Sequence, residues 1–327
     1  MSFTEIPPRV HRLHRSELAV PGSNPHLFEK AARTAADVVF LDLEDAVAPD
    51  DKEQARRNVI AALNDIDWGR KTLSVRINGL DTAWMYRDVI EIVEDCPRLD
   101  LLFIPKIGVA ADVYALDMLV SQVELAVKRE RRVGFEIMIE TALGMVNVEA
   151  IAQASRRLEA MCFGPGDFAA ATGARSTEIG AVNSDYGVLA AKEAGGTRAF
   201  HLADQWHAAQ ARILYACRAY GLRAIDGPFS DFRDTAGFLA SARRTAAVGY
   251  EGRMVIHPSQ IALANEVYGP TPQEVEQARR IVAAMKRATQ QGKGAVGLDG
   301  RMIDIANMRM AEQLIARAEA IAAGEAA

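Results

Sequence analysis

The chain has 327 residues, of which 50% are apolar and 25% are charged. This is an ordinary globular composition, so it excludes a wholly disordered, collagen-like or coiled-coil chain. The 38 Lys and Arg against 43 Asp and Glu give a net charge of -5. No basic block stands out, so we expect no nucleic-acid partner. No uncharged apolar run approaches the ~18 residues of a membrane helix, so we expect no membrane partner either.

The cysteines and the N-terminal segment favour a cytoplasmic location. Cys96, Cys162 and Cys217 lie far apart, without a C-x-x-C pattern and without the even number of a disulfide framework. The segment from Met1 to Ser16 lacks the apolar stretch of a signal peptide. We therefore expect a reducing, cytoplasmic environment, with the three cysteines as small apolar residues of the core.

Short apolar segments alternate along the chain with longer Ala- and Arg-rich segments. Eight of the short ones are predicted strands, at residues 17–21, 37–43, 72–77, 99–107, 133–139, 158–163, 223–226 and 253–256. Several are apolar on both faces, which is typical of parallel strands covered by helices. About eight βα units predict an α/β fold of the (β/α)₈ (TIM) barrel type. A doubly wound sheet is the alternative, but no G-x-G-x-x-G follows the first strand.

The helix-like segments carry recognisable start and stop signals. Asn24 before Pro25 predicts the N-terminal cap and first position of a helix. Residues 149–157 and 205–220 continue the helical pattern, and Gly221 ends the second of them.

The character of the sequence changes after the eighth unit. A capping box at residues 271–274 predicts a helix to about Thr289, and a Gly-rich connection at 292–300 leads to a final Ala-rich helix. We therefore expect a catalytic barrel at residues 1–268. Residues 269–327 are expected to form a lid or arm that contributes to a neighbouring subunit's site, with a helical cap on the barrel end as the alternative.

Acidic and basic residues follow the predicted strands. In a barrel of this type, catalytic groups lie at the C-terminal ends of the strands and in the loops that follow. These positions carry Asp42, Glu44, Asp45, Arg76, Lys106, Glu140, Asp167 and His257. A single charged residue there would mean little, but a ring of them indicates an active site.

Glu140 and Asp167 follow consecutive predicted strands, so both carboxylates are expected to reach one point above the barrel. Two carboxylates with open positions suit a hard divalent cation such as Mg²⁺, which keeps waters and takes further oxygens from a substrate. The alternative is that each acid caps a helix or pairs with a neighbouring arginine. The pair favours the metal.

Arg76 lies in a predicted strand that runs into an Asn-Gly turn. A charged side chain in such a segment is expected to meet a carboxylate, either from a ligand or from the protein. The acids at residues 42, 44 and 45 are the competing protein partners. His257, before a proline, is more often a hydrogen-bonded structural residue than a base, and no Cys or His spacing indicates zinc.

With these residues identified, the sequence resembles the citrate lyase β-subunit-like (HpcH/HpaI aldolase) family of Mg²⁺-dependent CoA-ester lyases, and within it most closely the malyl-CoA lyases. The resemblance runs from His11 to about Ile315. It rests on residues 14–22, 40–47, 75–78, 104–106, 139–141, 164–167, 256–258 and 302–304.

The resemblance implies a role for each matching residue. Glu140 and Asp167 would hold Mg²⁺, with Mn²⁺ as a substitute, and together with Arg76 and Gly166 they would bind the malyl group or glyoxylate. Asp304 would be the catalytic acid/base in a neighbouring subunit's site, with Arg76 as the second catalytic residue. The CoA ester would be lined by Ala19, Asn24, Lys30, Ile256 and His257. We expect Asp42, Glu44, Asp45 and Lys106 to support these residues from outside.

The implied activity is the reversible cleavage of (S)-malyl-CoA to acetyl-CoA and glyoxylate, and also of β-methylmalyl-CoA to propionyl-CoA and glyoxylate. The alternatives are a citramalyl-CoA lyase or a malyl-CoA thioesterase on the same scaffold, and more remotely a non-catalytic assembly protein. The presence of Arg76, Glu140, Asp167 and Asp304 together argues against the last. The expected assembly is a homotrimer or a homohexamer.

Overall fold

This computed structural model describes residues 10, 12–176, 178–192 and 196–325. The segment from Met1 to Ser16, predicted to lack a signal peptide, lies mostly outside the described residues. Within the described part, no helix combines the length and the apolar character needed to cross a membrane.

Twelve strands are present in the described part of the chain. In chain order they are Ser16–Pro21 (β1), Val38–Asp42 (β2), Thr72–Arg76 (β3), Leu101–Ile104 (β4), Gly134–Ile139 (β5), Leu158–Phe163 (β6), Gly187–Leu189 (β7), Phe200–Leu202 (β8), Arg223–Asp226 (β9), Gly252–Val255 (β10), Ala295–Leu298 (β11) and Arg301–Asp304 (β12). Eight of them form a closed barrel in the order β1-β10-β9-β6-β5-β4-β3-β2, and every neighbouring pair is parallel. The predicted (β/α)₈ barrel is confirmed.

Helices connect the strands and continue beyond them. They are Phe28–Ala32 (α1), Lys52–Asp65 (α2), Met85–Asp95 (α3), Ala110–Val127 (α4), Ala142–Val146 (α5), Val148–Ala152 (α6), Pro165–Thr172 (α7), His207–Tyr220 (α8), Thr235–Val248 (α9), Ile261–Tyr268 (α10), Pro272–Gln290 (α11) and Ile305–Glu325 (α12). Gly221 ends α8 in the left-handed conformation, with a φ of 70°, as its position after the helical pattern predicts.

Asn24 is the N-cap residue of the element at Pro25–Leu27 and Pro25 takes its first position, as predicted, although the element is a 3-10 helix and the Asn24 side chain makes no capping hydrogen bond. The Asn24 carbonyl accepts from the Leu27 N–H at 3.1 Å. Another local prediction was wrong. The helix predicted to reach residue 157 ends at Ala152. Arg157 is buried and pairs with Asp117 and Glu124 of α4, which requires the chain to leave the helix before that position.

The barrel interior is filled by apolar side chains from nearly all of its strands. The buried cluster consists of Phe40, Phe103, Met138, Ala160, Cys162, Ile225 and Met254, with Ala19 packed against it. Phe40 and Phe103 meet edge to face, with ring centroids 5.3 Å apart. Cys96, Cys162 and Cys217 are free and buried, which confirms their place in the core. This packing supports the strand ends that lie above it.

The chain divides into two compact units, Met1–Ala264 and Asn265–Ala327. In the second unit, α11 begins with the predicted capping box, in which the Thr271 hydroxyl accepts from the Glu274 N–H at 3.2 Å. The Gly-rich connection is more ordered than a linker, because β11 and β12 pair as an antiparallel hairpin. Ile303 of this hairpin packs with Ala284 and Met285 of α11, so the hairpin and helix share a small core.

Candidate active site

A cavity of about 290 Å³ lies at the C-terminal ends of the barrel strands. Its lining includes the predicted site residues Ala19, Asp42, Asp45, Arg76, Glu140, Gly166, Asp167 and Ile256. Its apolar lining includes Phe40, Met138, Ile179 and Met254. The cavity therefore combines a few charged groups at one end with apolar walls, as small-molecule sites do.

Two neighbouring strands bring Glu140 to this cavity. Ile139 and Phe163 are paired at the ends of β5 and β6, so Glu140 and Gly164 leave the barrel side by side. A Cβ added to Gly164 would lie only 2.5 Å from the Glu140 Cβ and 2.7 Å from its Oε2. Glycine at 164 therefore makes room for the Glu140 carboxylate. Asp167 follows in the first turn of α7, whose N-cap is Gly164.

The Glu140 carboxyl group is short of positive charge. The side chain is 2% exposed, and its Oε1 accepts the Lys106 N–H at 2.8 Å. Burial, and then the nearby Asp167 carboxylate, raise the pKa of Glu140 to about 8. Two hard carboxylate oxygens that repel one another in a buried cavity fit a divalent cation of the Mg²⁺ type. These residues therefore have the donors and the charge for the expected metal.

Arg76 is held rigidly at the cavity wall. Its Nε and Nη2 donate to the two Asp42 oxygens at 2.7 and 2.6 Å, and its Nη1 lies 3.2 Å from Glu44 Oε2. The guanidinium also stacks over Phe40, 5.7 Å from the ring centroid. Burial alone would raise the pKa of Asp42, but the Arg76 ion pair lowers it below its usual value. The protein therefore supplies carboxylate partners for a cation that also faces the cavity.

Lys106 connects this ion pair to Glu140. It has a left-handed φ of 55°, which is strained for a residue with a side chain. Its backbone N–H reaches Glu140, while its ammonium donates to Glu44 and lies 3.4 Å from Asp45. Burial lowers the pKa of Lys106, but the Glu44 contact outweighs it and raises the pKa above its usual value. Lys106 and Glu44 do not line the cavity, so they act on its residues from behind.

Lys52 belongs to the same network, although the sequence analysis did not identify it. Its ammonium is buried and donates to the carbonyls of Leu43 at 2.8 Å and Glu44 at 2.7 Å. These bonds fix the loop that carries Glu44 and Asp45. No local pattern marks Lys52, because it reads as an ordinary first residue of α2.

The residues expected to line the CoA ester are divided. Ala19 and Ile256 line the cavity, whereas Asn24 and Lys30 are exposed on the segment after β1. His257 lies outside the cavity lining. Its ring stacks on Phe232 at 4.5 Å, and its Nδ1 lies 2.8 Å from the Ser259 hydroxyl.

Asp304 lies in the second unit, at the junction of β12 and α12. Its Oδ1 accepts the N–H groups of Ala306 at 2.9 Å and Asn307 at 3.3 Å. The Asn307 side chain in turn accepts the Asp304 N–H at 3.0 Å. Asp304 is therefore the N-terminal cap of α12. A substitution that tests a catalytic role for Asp304 must therefore leave this helix cap intact.

Comparisons with known proteins agree with the motifs. Residues 15–258 match the family described as HpcH/HpaI aldolase/citrate lyase. The chain is 52% identical to the L-malyl-CoA/beta-methylmalyl-CoA lyase of Rhodobacter capsulatus, over 98% of this chain and 99% of the relative. It is 37% identical to the (3S)-malyl-CoA thioesterase of Cereibacter sphaeroides (strain KD131 / KCTC 12085), over 96% and 98% of the two chains.

A solved structure gives the same assignment. The protein CitE from Mycobacterium tuberculosis, crystallised with magnesium, acetoacetate and coenzyme A, is 31% identical, with a TM-score of 0.72 over 94% of this chain and 98% of that one. The chain therefore belongs to the HpcH/HpaI aldolase/citrate lyase family of carbon–carbon lyases.

Proposed function

We propose that this enzyme cleaves (S)-malyl-CoA reversibly to acetyl-CoA and glyoxylate with the help of Mg²⁺, and that it also accepts β-methylmalyl-CoA. The observation that carries the proposal is 52% identity to L-malyl-CoA/beta-methylmalyl-CoA lyases over nearly the whole chain. The charged end of the barrel cavity, with Arg76 beside Glu140 and Asp167, supports it.

The proposed metal ligands are Glu140 and Asp167. Magnesium bound there supplies a Lewis acid and a template for the oxygens of the malyl unit. A carboxyl group with a pKa of about 8 gains most from such a cation, because the cation offsets the burial and the Asp167 repulsion that keep the group protonated. Manganese is the expected substitute, since it favours similar oxygen ligands.

Arg76 provides fixed positive charge at the same end of the cavity. Asp42 and Glu44 hold its guanidinium, so it need not reorganise when negative charge develops on a substrate oxygen. Charge placed in advance of the reaction in this way is worth ~3 kcal/mol in comparable sites. We assign Arg76 to the stabilisation of the oxyanion that forms when the C–C bond breaks.

The proton at the acetyl carbon needs a separate acid/base, and we propose Asp304 of a neighbouring subunit. It would protonate the enolate left by cleavage, or remove the methyl proton in the condensing direction. This places one catalytic group of each site on another chain, which fits the expected trimer or hexamer. Closure of such a segment would also keep water from the enolate.

The apolar walls bear on the choice of acyl group. Phe40, Met138 and Met254 present no polar group that would reject an added methyl. An apolar pocket separates substrates that differ by one methylene by only ~1–3 kcal/mol. Use of both malyl-CoA and β-methylmalyl-CoA follows, and citramalyl-CoA is a further candidate.

A thioesterase is the second candidate, because the Cereibacter sphaeroides relative at 37% identity is a (3S)-malyl-CoA thioesterase. The higher identity to the lyases favours cleavage of the C–C bond. The condensing direction distinguishes the two, since a thioesterase forms no new C–C bond. Purified protein should therefore be incubated with Mg²⁺, glyoxylate and either acetyl-CoA or propionyl-CoA, and the CoA products identified by mass. We expect malyl-CoA and β-methylmalyl-CoA. Unchanged acyl-CoA in both reactions would refute the proposal.

A further inference from the structure

A polar layer lies inside the barrel beneath its apolar core. We call Glu17 of β1, Ser74 of β3 and Glu136 of β5 the lower layer. On each strand, the side chain two residues further along lies in the apolar core or contacts it. Side chains two residues apart in a strand point the same way, so the lower-layer side chains also face the barrel interior. All three are completely buried. Interior layers of such barrels are normally filled by Val, Ile and Leu, so the lower layer requires an explanation.

His14, which precedes β1, completes this cluster. Its Nε2 lies 3.5 Å from Glu17 Oε2 and 3.5 Å from Glu136 Oε2, and the ligand atoms of the three residues are all within 4.8 Å of one another. Among the described residues, no hydrogen bond is made by either ring nitrogen of His14 or by Ser74 Oγ, and the only side-chain partner of the Glu17 and Glu136 carboxyl groups is each other. Buried polar atoms without partners are costly, so such a set calls for a bound species.

The spacing of these atoms suits a tetrahedral ion. A tetrahedral ion with bonds of about 2.0–2.1 Å separates its ligand atoms by roughly 3.4 Å, which matches both measured distances. An octahedral Mg²⁺ with bonds of the same length would need roughly 2.9 Å. One imidazole nitrogen with carboxylate oxygens is a zinc-type ligand set. We propose that His14 Nε2, Glu17 and Glu136 bind a divalent transition metal of the zinc class.

The charges in the lower layer agree with a divalent cation. Two carboxylates balance its charge. The nearby Arg223 pairs with Glu159 at 3.2 Å through Nη2, but its buried Nε has no hydrogen-bond partner among the described residues, and its charge lowers the pKa of both carboxyl groups. Without a cation, burial raises the pKa of both Glu17 and Glu136 to about 8. A proton shared by the two carboxyl groups is therefore the competing explanation. In that arrangement His14 Nε2 stays 3.5 Å from both carboxyl groups, which is too long for a good hydrogen bond, whereas a metal would bind Nε2 directly.

This site is distinct from the proposed magnesium site. Glu136 precedes Glu140 on the same strand by four positions, which corresponds to about 13 Å along β5. The lower-layer residues are completely buried, and none of them lines the cavity. The ion would therefore be taken up during folding and would be structural, linking the N-terminal segment at His14 to β1 and β5.

The test uses the full-length protein folded in the presence of Zn²⁺ and then dialysed against a chelator. Elemental analysis should find about one zinc per chain, because the enclosed ion exchanges slowly. Glu17→Gln and Glu136→Gln keep the shape of each side chain but remove the anionic ligand, so they should lose most of the zinc. Glu140→Gln, at the other end of β5, is the matched control and should retain it.

Anomalous scattering at the zinc edge, measured on crystals of the wild-type protein, gives an independent answer even where a variant does not fold. A peak between His14, Glu17 and Glu136 supports the proposal. Wild-type protein without zinc, zinc located elsewhere, or full zinc content in both lower-layer variants would overturn it. The first result would favour the shared proton.

Discussion

The substitution Gly164→Ala probes the contact between β5 and β6 on which the site depends. The new Cβ would lie 2.5 Å from the Glu140 Cβ, 2.7 Å from Glu140 Oε2 and 2.9 Å from the Met138 sulfur. The backbone φ of residue 164 is -100°, which alanine adopts without strain, so the clash is the whole perturbation. Relief requires Glu140 or Met138 to move.

The magnitude follows from the crowding. Overpacking of this kind costs about 1–3 kcal/mol, which corresponds to a fall in melting temperature of roughly 2–8 °C in a protein of this size. Displacement of a metal ligand should weaken Mg²⁺ binding by roughly 10- to 100-fold, as loss of a supporting contact does in other metal sites. Activity should therefore recover partly at high Mg²⁺.

The assay is a Mg²⁺ titration of the lyase rate, together with a thermal melt of the metal-free protein. Gly294→Ala is the control, since no described atom lies within 4 Å of the Cβ it would add. It should match the wild-type protein in both measurements. If Gly164→Ala shows the wild-type Mg²⁺ dependence, then Glu140 is not the metal ligand or does not lie against residue 164.

Three further predictions concern the other groups of the site. Arg76→Lys should lower the turnover by roughly 100-fold while substrate binding changes less, because lysine lacks the planar fork held by Asp42. Turnover at the wild-type level with a lower melting temperature would show that Arg76 is purely structural. The Glu140 carboxyl group has a pKa of about 8, so below that pH Mg²⁺ must displace its proton in order to bind. Mg²⁺ affinity measured by titration should therefore fall about tenfold per pH unit below about pH 8. An affinity independent of pH would contradict this. Asp304→Asn should keep the α12 cap and the melting temperature but lose activity. Mixed oligomers of Asp304→Asn with Glu140→Gln should regain part of that activity. No recovery in verified mixed oligomers would place Asp304 in its own subunit's site.

The barrel could be predicted because its strands are short, apolar and evenly interrupted. The segments predicted at 158–163 and 223–226 agree with β6 and β9 at both ends. The prediction at 99–107 was too long, because the apolar pattern continues past Ile104 where β4 ends. Apolar composition identifies a buried strand, but it does not mark the last residue that pairs with a neighbour.

The charged end of the cavity could also be anticipated from the sequence, since Arg76 ends one strand, Glu140 follows another, and these strand ends meet on one face of a barrel. The contacts that hold this end of the cavity in place could not be anticipated. Lys52 reaches the loop after β2 from the start of α2, and Lys106 acts partly through its backbone N–H in a left-handed conformation. Contacts that involve backbone carbonyls and N–H groups do not depend on the residue type, so they leave no pattern in the sequence.

The lower layer was missed for a different reason. Glu17 and Glu136 are single acids within apolar strands, and β1 and β5 are not neighbours in the sheet. Only closure of the barrel brings them together across its interior, with His14 between them. Each residue alone reads as an ordinary interruption of a strand.

A product balance tests most directly whether the enzyme breaks a C–C bond of malyl-CoA. Purified protein is incubated with Mg²⁺ and (S)-malyl-CoA, and acetyl-CoA, glyoxylate, free CoA and malate are all quantified over time. We expect equal amounts of acetyl-CoA and glyoxylate for each malyl-CoA consumed, with no early release of malate. Malate and free CoA formed without glyoxylate would contradict this expectation and would assign the chain to the thioesterases.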